Sequence, residues 1–331
     1  MRRVSCVTRL CATVLLLAIW SSAKPAPAAT PTVKSLPLKL RIAYVAPIGA
    51  MAPVWMAAES GAFRREGLEV ELIFIEARAS IAALVAKEID ALGISAPGII
   101  PAVLAGGDVT MIGGLLNKMI FSLHAQKEIK SVEQLRGKVV GTDRVGTPSD
   151  YGGRVALTLA GLKPESDVQL LRIGGSGVLF PALQSGQIAA APLTPPQSFT
   201  ADALGFSRLA NTYHLPYQNV GVVVRKTDVE PKAELWARVL RALREGIYRW
   251  YDDPKLAREV LAKYTKERDA EMLQKTYDFF TKQAGFSKEL VPTDQGIQQI
   301  LTFLGSTVLP SAKDAAPAQF YDTRILDKVR K

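Results

Sequence analysis

The chain has 331 residues, a formal net charge of +10 and 48% hydrophobic residues, so it is long enough to bury more than one core. Its Lys and Arg residues are scattered, without long runs or interleaved aromatic residues, which argues against nucleic-acid binding. Both cysteines, Cys6 and Cys11, lie near the start. The rest of the chain therefore lacks a thiolate nucleophile, a disulfide and any Cys-ligated metal.

The first thirty residues have the pattern of a cleavable export signal. Arginines precede an apolar run at residues 10–20, and residues 26–28 (Ala-Pro-Ala) supply the small side chains of a cleavage site. The run is shorter than the roughly 20 residues of a membrane-spanning helix, although an uncleaved anchor stays an alternative. We predict a signal peptide over residues 1–29, a linker over 30–37 and a periplasmic mature protein. Its net charge, +10 less the four leader cations, is +6.

Strands and helices alternate at the start of the mature chain. Apolar alternation predicts strands over residues 38–45 and 68–75, and a third strand over 91–95 follows a helix with apolar residues at helical spacing. Another helix begins at Pro53 and extends to residue 59. This order is typical of a parallel sheet covered by helices.

The same pattern repeats after a crossover at residues 119–124. Ser131 and Gln134 match a capping box, residues 138–142 read as a strand, and a longer helix starts at Thr147. The remaining predicted elements are strands over 168–173 and 188–193, a helix over 176–184, a β-rich return over 219–225, and helices over 232–251, 254–264, 268–283 and 293–304.

Two α/β lobes joined by two crossovers make a clamshell with a ligand cleft between them. We predict that residues 38–121 and 218–331 form the first lobe and residues 122–217 the second. Hinges are expected near 121–124 and 220–223. The tail from residue 306 either packs on the first lobe or is disordered.

Open α/β sheets bind ligands beyond the carboxyl ends of their strands. Thr147 as N-cap with Pro148 behind it leaves helix amides that suit a carboxylate, sulfonate or phosphate. Alternatively, Asp150 closes those amides as a capping acid. Trp55 is either a stacking wall or a core residue. The predicted ligand-binding residues are Ile48, Gly49, Ala50, Pro53, Trp55, Ser95, Ala96, Gly146, Thr147, Ser149, Thr194, Pro195 and Asn219.

Four short segments follow one another in a familiar order and spacing. They are Arg-Ile-Ala-Tyr at 41–44, Glu-Gly-Leu-Glu-Val at 66–70, Ile-Lys-Ser-Val-Glu-Gln-Leu-Arg-Gly-Lys-Val at 129–139 and Leu-Gln-Ser-Gly-Gln-Ile at 183–188. The chain in this respect resembles the nitrate/sulfonate/taurine-type solute-binding proteins of ABC importers, a group that shades into thiamine-precursor-synthase-like domains. The resemblance covers about residues 38–304.

The resemblance implies a type II periplasmic-binding fold that captures a small molecule by hinge bending. It further implies a monomer that uses no cofactor and delivers its ligand to an ABC permease in the inner membrane. Ala189 stands where relatives often carry an acid. Lys118, Arg144 and Arg154 are candidate cations, but none of them identifies a particular anion.

Two other functions use the same fold. The clamshell could present its closed form to a receptor kinase as a sensor subunit, or it could be an exported enzyme. Against catalysis, His124 and His214 do not form a spaced ligand pair, and the metal- or cofactor-binding cysteines of related enzymes are missing. We therefore predict a binding protein for a small polar or anionic molecule rather than an enzyme.

Overall fold

The computed structural model describes residues 37–330, so the predicted signal peptide and nearly all of the predicted linker lie outside the described residues. The described chain contains two five-stranded sheets. In chain order the strands are β1 (Leu38–Tyr44), β2 (Leu68–Phe74), β3 (Ala91–Ile94), β4 (Thr110–Lys118), β5 (Ser122–Ala125), β6 (Val139–Thr142), β7 (Gln169–Arg172), β8 (Ala190–Leu193), β9 (Ser207–Asn211) and β10 (Pro216–Val224).

The helices pack on both sheets and form the carboxyl-terminal part of the fold. They are α1 (Ala52–Glu59), α2 (Ala62–Arg65), α3 (Ala77–Val85), α4 (Ala96–Leu104), α5 (Pro148–Leu159), α6 (Ser176–Gln184), α7 (Gln197–Ala203), α8 (Ala233–Asp252), α9 (Pro254–Thr265), α10 (Ala270–Asp278), α11 (Asp294–Thr307) and α12 (Leu326–Arg330).

The first sheet has the strand order β2-β1-β3-β10-β4. β1 runs parallel to β2 and β3, whereas β10 runs antiparallel to β3 and β4. Along β1, Leu40 and Ile42 are buried while Lys39 and Arg41 are exposed, which is the period of two expected of a strand, and Ala43 on the opposite face is buried as well. We call this sheet with its helices the first lobe.

The second sheet has the order β7-β6-β8-β5-β9. β6 is parallel to β7 and β8, and β5 is antiparallel to β8 and β9. This sheet with its helices is the second lobe. The predicted α/β class with two lobes joined by two crossovers is confirmed.

The two crossovers lie side by side between the lobes. One connects β4 to β5 through residues 119–121, and the other connects β9 to β10 through residues 212–215. The Met119 N–H donates to the Leu215 carbonyl at 3.1 Å, and the Thr212 N–H donates to the Phe121 carbonyl at 3.0 Å. The crossovers are thus bonded to each other as well as to the lobes.

The predicted second hinge at residues 220–223 is wrong. Those residues lie inside β10, where Val222 pairs with Gly93 of β3 on one side and Gly113 of β4 on the other. A strand bonded on both sides cannot absorb a rotation without breaking the ladder. The predicted first hinge overlaps the crossover only at Phe121, because Ser122 already begins β5.

The first lobe owes its large core to the long helix α8. Trp236, Leu240, Leu243, Ile247 and Trp250 are buried on one face at intervals of three and four residues. The tail also packs on this lobe. The Met111 N–H of β4 donates to the carbonyl of Phe320, and the Asp322 N–H donates to the carbonyl of Met111, so the packed tail is confirmed over the disordered alternative.

The predicted helix over 268–283 changes its character at Asp278. α10 ends there, and residues 279–284 continue as a π-helical segment before Gly285, which has a φ of +68°. The wider turn separates two adjacent rings. Phe279 packs against Tyr213 of the crossover, whereas Phe280 stacks on Phe286 in the first lobe. Such segments frequently occur at functional sites.

Candidate functional site

The strand ends selected from the sequence face each other across the crossovers. β5 starts directly after one crossover, and its first residue, Ser122, pairs with Leu193, the last residue of β8. In the first lobe, Gly221 of β10 pairs with Ile94, the last residue of β3. Because parallel neighbours end at the same edge, the carboxyl ends of β1, β3, β6 and β8 all lie at the boundary between the lobes.

The first lobe contributes a tight apolar loop to this boundary. After β1 the chain passes Ile48 and enters a single turn of 3₁₀ helix in which Gly49 and Ala50 are buried. A Cβ at Gly49 would overlap the ring of Phe280, so this position accepts only glycine unless that ring moves. The loop therefore positions main-chain groups rather than side-chain polar groups.

Ser95 occupies the N-cap position of α4, directly after β3. Its backbone is extended and, within the described residues, its side chain makes no capping hydrogen bond. Ala96 behind it is buried. The hydroxyl of Ser95 is thus not used in the ordinary way at a helix start.

The start of α5 in the second lobe is closed by its own side chains. The Thr147 hydroxyl accepts from the Asp150 N–H at 3.3 Å and donates to the Arg144 carbonyl at 2.9 Å. The Asp150 carboxylate accepts from the Gly146 N–H at 3.1 Å and from the Arg154 guanidinium at 2.8 Å. Of the two predicted uses of this helix start, the capping one accounts for both side chains.

Asp150 is buried, and this burial affects its ionisation. Burial raises the pKa of the Asp150 carboxyl above its ordinary value, although the Arg154 guanidinium and the Gly146 amide act in the opposite direction. The Arg154 guanidinium also donates to Glu165 at 2.7 Å. The buried carboxylate at the start of α5 is therefore part of a charge network rather than an isolated ion.

Ser149, in contrast, belongs to a set of buried hydroxyls at the edge of the second sheet. Within residues 37–330, the hydroxyl oxygens of Thr142, Ser149 and Ser198 have no hydrogen-bond partner, although all three residues are buried. Thr194 is also buried, and its hydroxyl lies 3.3 Å from that of Ser176. We call Thr142, Ser149, Thr194 and Ser198 the hydroxyl edge.

An unsatisfied buried hydroxyl is unusual because its desolvation costs about 1–3 kcal/mol. The four residues of the hydroxyl edge all lie at the carboxyl ends of β6 and β8 or in the first turn of the helix that follows. Ser149 and Thr194 were predicted, while Thr142 and Ser198 were missed. Both could have been found from the expectation that ligands bind beyond the carboxyl ends of the strands, since Thr142 is the last residue of β6 and Ser198 follows the loop after β8.

Four other residues predicted to bind ligand make contacts that support the fold. Trp55 is wholly buried, with one face stacked on Tyr264 at 4.7 Å and its edge against Tyr44. Pro53 lies in the first turn of α1, and Pro195 connects β8 to α7. The Asn219 amide donates to the Lys118 carbonyl at 3.1 Å, which secures β10 to β4 beside the crossover.

A tyrosine from the first lobe reaches the start of α5 and was missed. Tyr217 is wholly buried, its ring centroid lies 5.1 Å from that of Tyr151, and its hydroxyl has no partner in the described part of the chain. Burial raises the pKa of Tyr217 well above its ordinary value, with Tyr151 and Asp150 adding to the rise. The phenol therefore stays protonated at neutral pH and is available as a donor.

Serine, histidine and aspartate meet elsewhere in the second lobe. The Ser122 hydroxyl lies 3.4 Å from His124 Nδ1, and His124 Nε2 lies 3.0 Å from Asp202 Oδ1. The combination is that of a hydrolytic triad, but Ser122 and His124 are wholly buried inside the sheet, and Asp202 is also bound by Arg208. A nucleophile must be able to reach its substrate, and these buried side chains cannot. The array instead has a structural role, in which it ties β5 to α7 and β9.

The lobes touch along two rims on either side of the strand ends. At one rim Tyr151 packs edge-to-face on Phe303 of α11, with centroids 4.9 Å apart. At the other rim Phe279 lies 6.1 Å from Phe199 of α7 and 4.8 Å from Tyr213. The lobes are therefore closed over the boundary.

Among residues 37–330, no helix is both long and apolar enough to span a bilayer. These residues also hold no group of three or more His, Cys, Asp or Glu side chains that could bind a metal ion.

Two five-stranded sheets in this order, joined by paired crossovers, define the periplasmic-binding-protein fold. A family model described as "NMT1/THI5 like" matches residues 49–257, more than half of the chain. The chain belongs to that family. No curated protein sequence matches it significantly.

Solved structures agree with this assignment at the level of the fold. A protein from Bordetella bronchiseptica RB50 superposes with a TM-score of 0.72 at 19% identity, covering 88% of this chain and 96% of its own. The alkanesulfonate-binding protein SsuA from Xanthomonas axonopodis pv. citri gives 0.68 at 17% identity, with 82% and 94% covered. The periplasmic nitrate-binding protein NrtA from Synechocystis PCC 6803 gives 0.66 at 14%, with 88% and 86% covered.

Proposed function

We propose that this protein is a periplasmic solute-binding protein that captures a small polar or anionic organic molecule between its lobes and delivers it to an ABC permease. The observation that carries the proposal is the hydroxyl edge. Three of its buried hydroxyls lack a partner within the described residues, and they lie at the strand ends that face the other lobe. A ligand with several acceptor oxygens would satisfy them.

The chemistry of the boundary favours an acceptor-rich ligand. The hydroxyls of Ser149, Ser198 and Tyr217 can all donate, and Ser95 adds a fourth from the first lobe. Two of the three similar structures named above are of binding proteins for alkanesulfonate and nitrate, which are both anions. Hydroxyl and amide donors can hold an anion without a dedicated cation.

Opening and closing of the two lobes explains how such a site would bind and release its ligand. We take the first lobe, residues 38–118 and 216–330, as one rigid body and the second lobe, residues 122–211, as the other, so that Pro216 and Tyr217 of β10 move with the first lobe rather than with the predicted 122–217 segment. The crossovers at 119–121 and 212–215 absorb the rotation between them. In the open form water would reach the hydroxyl edge, and in the closed form the ligand would replace that water. Binding therefore favours the closed form.

The cellular context in this proposal rests on the sequence and the family. Residues 1–29 would direct export and be removed, which leaves a periplasmic protein free to move between solute and permease. We further propose that it acts as a monomer and binds without chemical turnover. The permease would recognise the closed lobes.

The first experiment is a thermal-shift screen of the mature protein, refolded and dialysed, against ethanesulfonate, nitrate and short carboxylates. A ligand at 100 times its Kd should stabilise the folded state by about 2.7 kcal/mol. The Ser149→Ala/Ser198→Ala double variant should bind the same ligand roughly tenfold to hundredfold more weakly.

Ser185→Ala is the matched control, because its hydroxyl donates to the Ala182 carbonyl at the far end of α6. This variant should bind as the wild type does. Unchanged affinity of the double variant would remove the hydroxyl edge from the site. A ligand that is converted to product on incubation would replace solute binding with an enzymatic function.

A further inference from the structure

A second ligand site is suggested by a groove that opens beside the rim formed by Phe279. The groove has a volume of about 850 Å³ and lies between α7 and β9 of the second lobe and α10 with the π-helical segment of the first. The candidate cation Lys118 lines it, whereas none of the thirteen residues predicted to bind ligand does. Its lining consists of Lys118, Phe199, Asp202, Arg208, Asn211, Tyr213, His214, Lys275, Asp278, Phe279, Lys282 and Gln283.

Aromatic rings form the apolar part of this interlobe groove. Phe279 meets Tyr213 and Phe199 edge-to-face, and the three rings come from three different parts of the chain. The Arg208 guanidinium lies 5.7 Å from the Phe199 ring centroid. Flat rings set at angles to one another offer both edges and faces to a further aromatic ring.

Charge in the groove is predominantly positive. Four cations face two carboxylates, and three of the cations already have acidic partners: Arg208 with Asp202, Lys282 with Asp278 and Lys275 with Glu271. Lys118 differs from them. Its ammonium donates to the Gln283 carbonyl at 3.1 Å, and within residues 37–330 no carboxylate lies within 4.0 Å of it.

Lys118 is exposed, and its main chain and its ammonium group each make one hydrogen bond. Its carbonyl accepts from the Asn219 amide, and its ammonium is bonded to the π-helical segment. A lysine bonded in this way at the end of β4 places a positive charge beside the aromatic rings. A neutral carbonyl does not compensate the positive charge of the Lys118 ammonium, so an anionic group bound beside it would stabilise it further.

We propose that the interlobe groove binds an aromatic acid, with its ring against Phe199, Tyr213 and Phe279 and its carboxylate or sulfonate paired with Lys118. This site is separate from the hydroxyl edge. Because both lobes line it, an acid bound there favours the closed form over the open form. The groove therefore couples a second ligand to the closure on which solute capture depends.

The test uses 1-naphthoate as the probe and isothermal titration calorimetry of the mature protein as the measurement. The wild type should bind 1-naphthoate, while 1-naphthalenemethanol, which lacks the charge, and cyclohexanecarboxylate, which lacks the aromatic ring, should bind at least about tenfold more weakly. Lys118→Gln keeps a donor for the Gln283 carbonyl but removes the charge, and it should weaken 1-naphthoate about tenfold.

Two further variants complete the design. Phe199→Leu should weaken 1-naphthoate about fivefold, with folding checked by far-UV circular dichroism. Lys288→Gln is the matched control, since Lys288 lies 4.6 Å from the Tyr251 ring centroid outside the groove, and it should bind as the wild type does. Wild-type affinity in both Lys118→Gln and Phe199→Leu would overturn the proposal, as would failure of the wild type to bind the probe.

The Ser149→Ala/Ser198→Ala variant separates the two sites. It should retain its affinity for 1-naphthoate even though it loses affinity for the solute of the hydroxyl edge. Loss of 1-naphthoate binding in this variant would place the acid at the hydroxyl edge and overturn the groove. If the groove does not bind 1-naphthoate, the proposal of solute capture at the hydroxyl edge is unaffected.

Discussion

The two lobes have the same kind of sheet but differ in the core behind it. The first lobe has one continuous hydrophobic core that includes three wholly buried tryptophans, Trp55, Trp236 and Trp250. The second lobe has two separate and much smaller cores, and it carries the hydroxyl edge. Stability is thus concentrated in one lobe, and the polar groups that a ligand would satisfy are concentrated in the other.

The difference follows from how the chain is divided between the lobes. After β10 returns to the first sheet, helices α8 to α12 all follow it in the chain, and all five contribute to the core of that lobe. The second lobe keeps only the helices that connect its own strands. Binding groups often lie in the less stable part of a structure, because their unsatisfied polar atoms lower stability.

The largest expected effect comes from truncating a tryptophan of the first lobe. Trp250 packs against Tyr277, Phe280 and Phe286, and its indole N–H donates to the Thr281 hydroxyl at 3.0 Å. Trp250→Ala removes these contacts and leaves a cavity, so the free energy of unfolding should fall by about 3–5 kcal/mol. Urea denaturation followed by circular dichroism measures the change.

Tyr248 provides a control on the same helix. Its side chain is 41% exposed, and Tyr248→Ala should change the free energy of unfolding by no more than about 1 kcal/mol. Equal losses in the two variants would mean that α8 does not anchor the core of the first lobe.

Much of the fold was predictable from local patterns. The alternation of strands and helices up to β3, the capping box at Ser131 and the start of α5 at Thr147 all depend on near neighbours in sequence, and all three are present. β4, β5 and β9 were missed. β4 contains Gly113 and Gly114, and the glycines of a strand carry no side chain from which periodicity can be read.

The site was predictable only where it follows the strand ends. Ser149 and Thr194 lie at the expected edge, but Thr147 and Asp150 cap their helix, and sequence alone left these two uses open. Tyr217 could not be found in the same way. It reaches the start of α5 only because β10 returns antiparallel beside the crossover, and this is a long-range feature of the topology.

A smaller effect should distinguish a functional hydroxyl from a structural one. Thr142→Val replaces a buried hydroxyl of the second lobe, which has no partner within the described residues, by a methyl group of similar size. The desolvation cost in the closed form disappears, so the ligand-free protein should gain up to about 1 kcal/mol in free energy of unfolding. The gain is smaller the more the open form is populated. Chemical denaturation without added ligand is the measurement.

Thr276 in α10 is the matched comparison, since it is also buried but its hydroxyl donates to the Met272 carbonyl at 2.7 Å. Thr276→Val should lose about 1 kcal/mol rather than gain it. A loss of stability in Thr142→Val would show that this hydroxyl is satisfied in solution, and the contrast between the lobes would then rest on core size alone.

The smallest expected effects are those of low pH on the stability of each lobe. Burial raises the pKa of Asp202 in the second lobe, but His124 and Arg208 outweigh it and bring the pKa below its ordinary value. Asp228 in the first lobe is lowered in the same way by Lys232 and Arg225 against its burial. The stability that each carboxylate contributes is complete above its unfolded pKa of about 4, and it is lost as the pH falls through the folded value.

Asp202→Asn and Asp228→Asn should each reduce this loss of stability at low pH. Tryptophan fluorescence distinguishes the unfolding of the two lobes. Every tryptophan within residues 37–330 lies in the first lobe, so fluorescence reports on that lobe, whereas circular dichroism reports on both. In urea denaturation between pH 6 and pH 3, Asp228→Asn should flatten the fluorescence-detected loss, and Asp202→Asn should flatten only that seen by circular dichroism. If Asp202→Asn changes both signals equally, the lobes unfold as one cooperative unit, because the packing at the two rims then outweighs the separation of their cores.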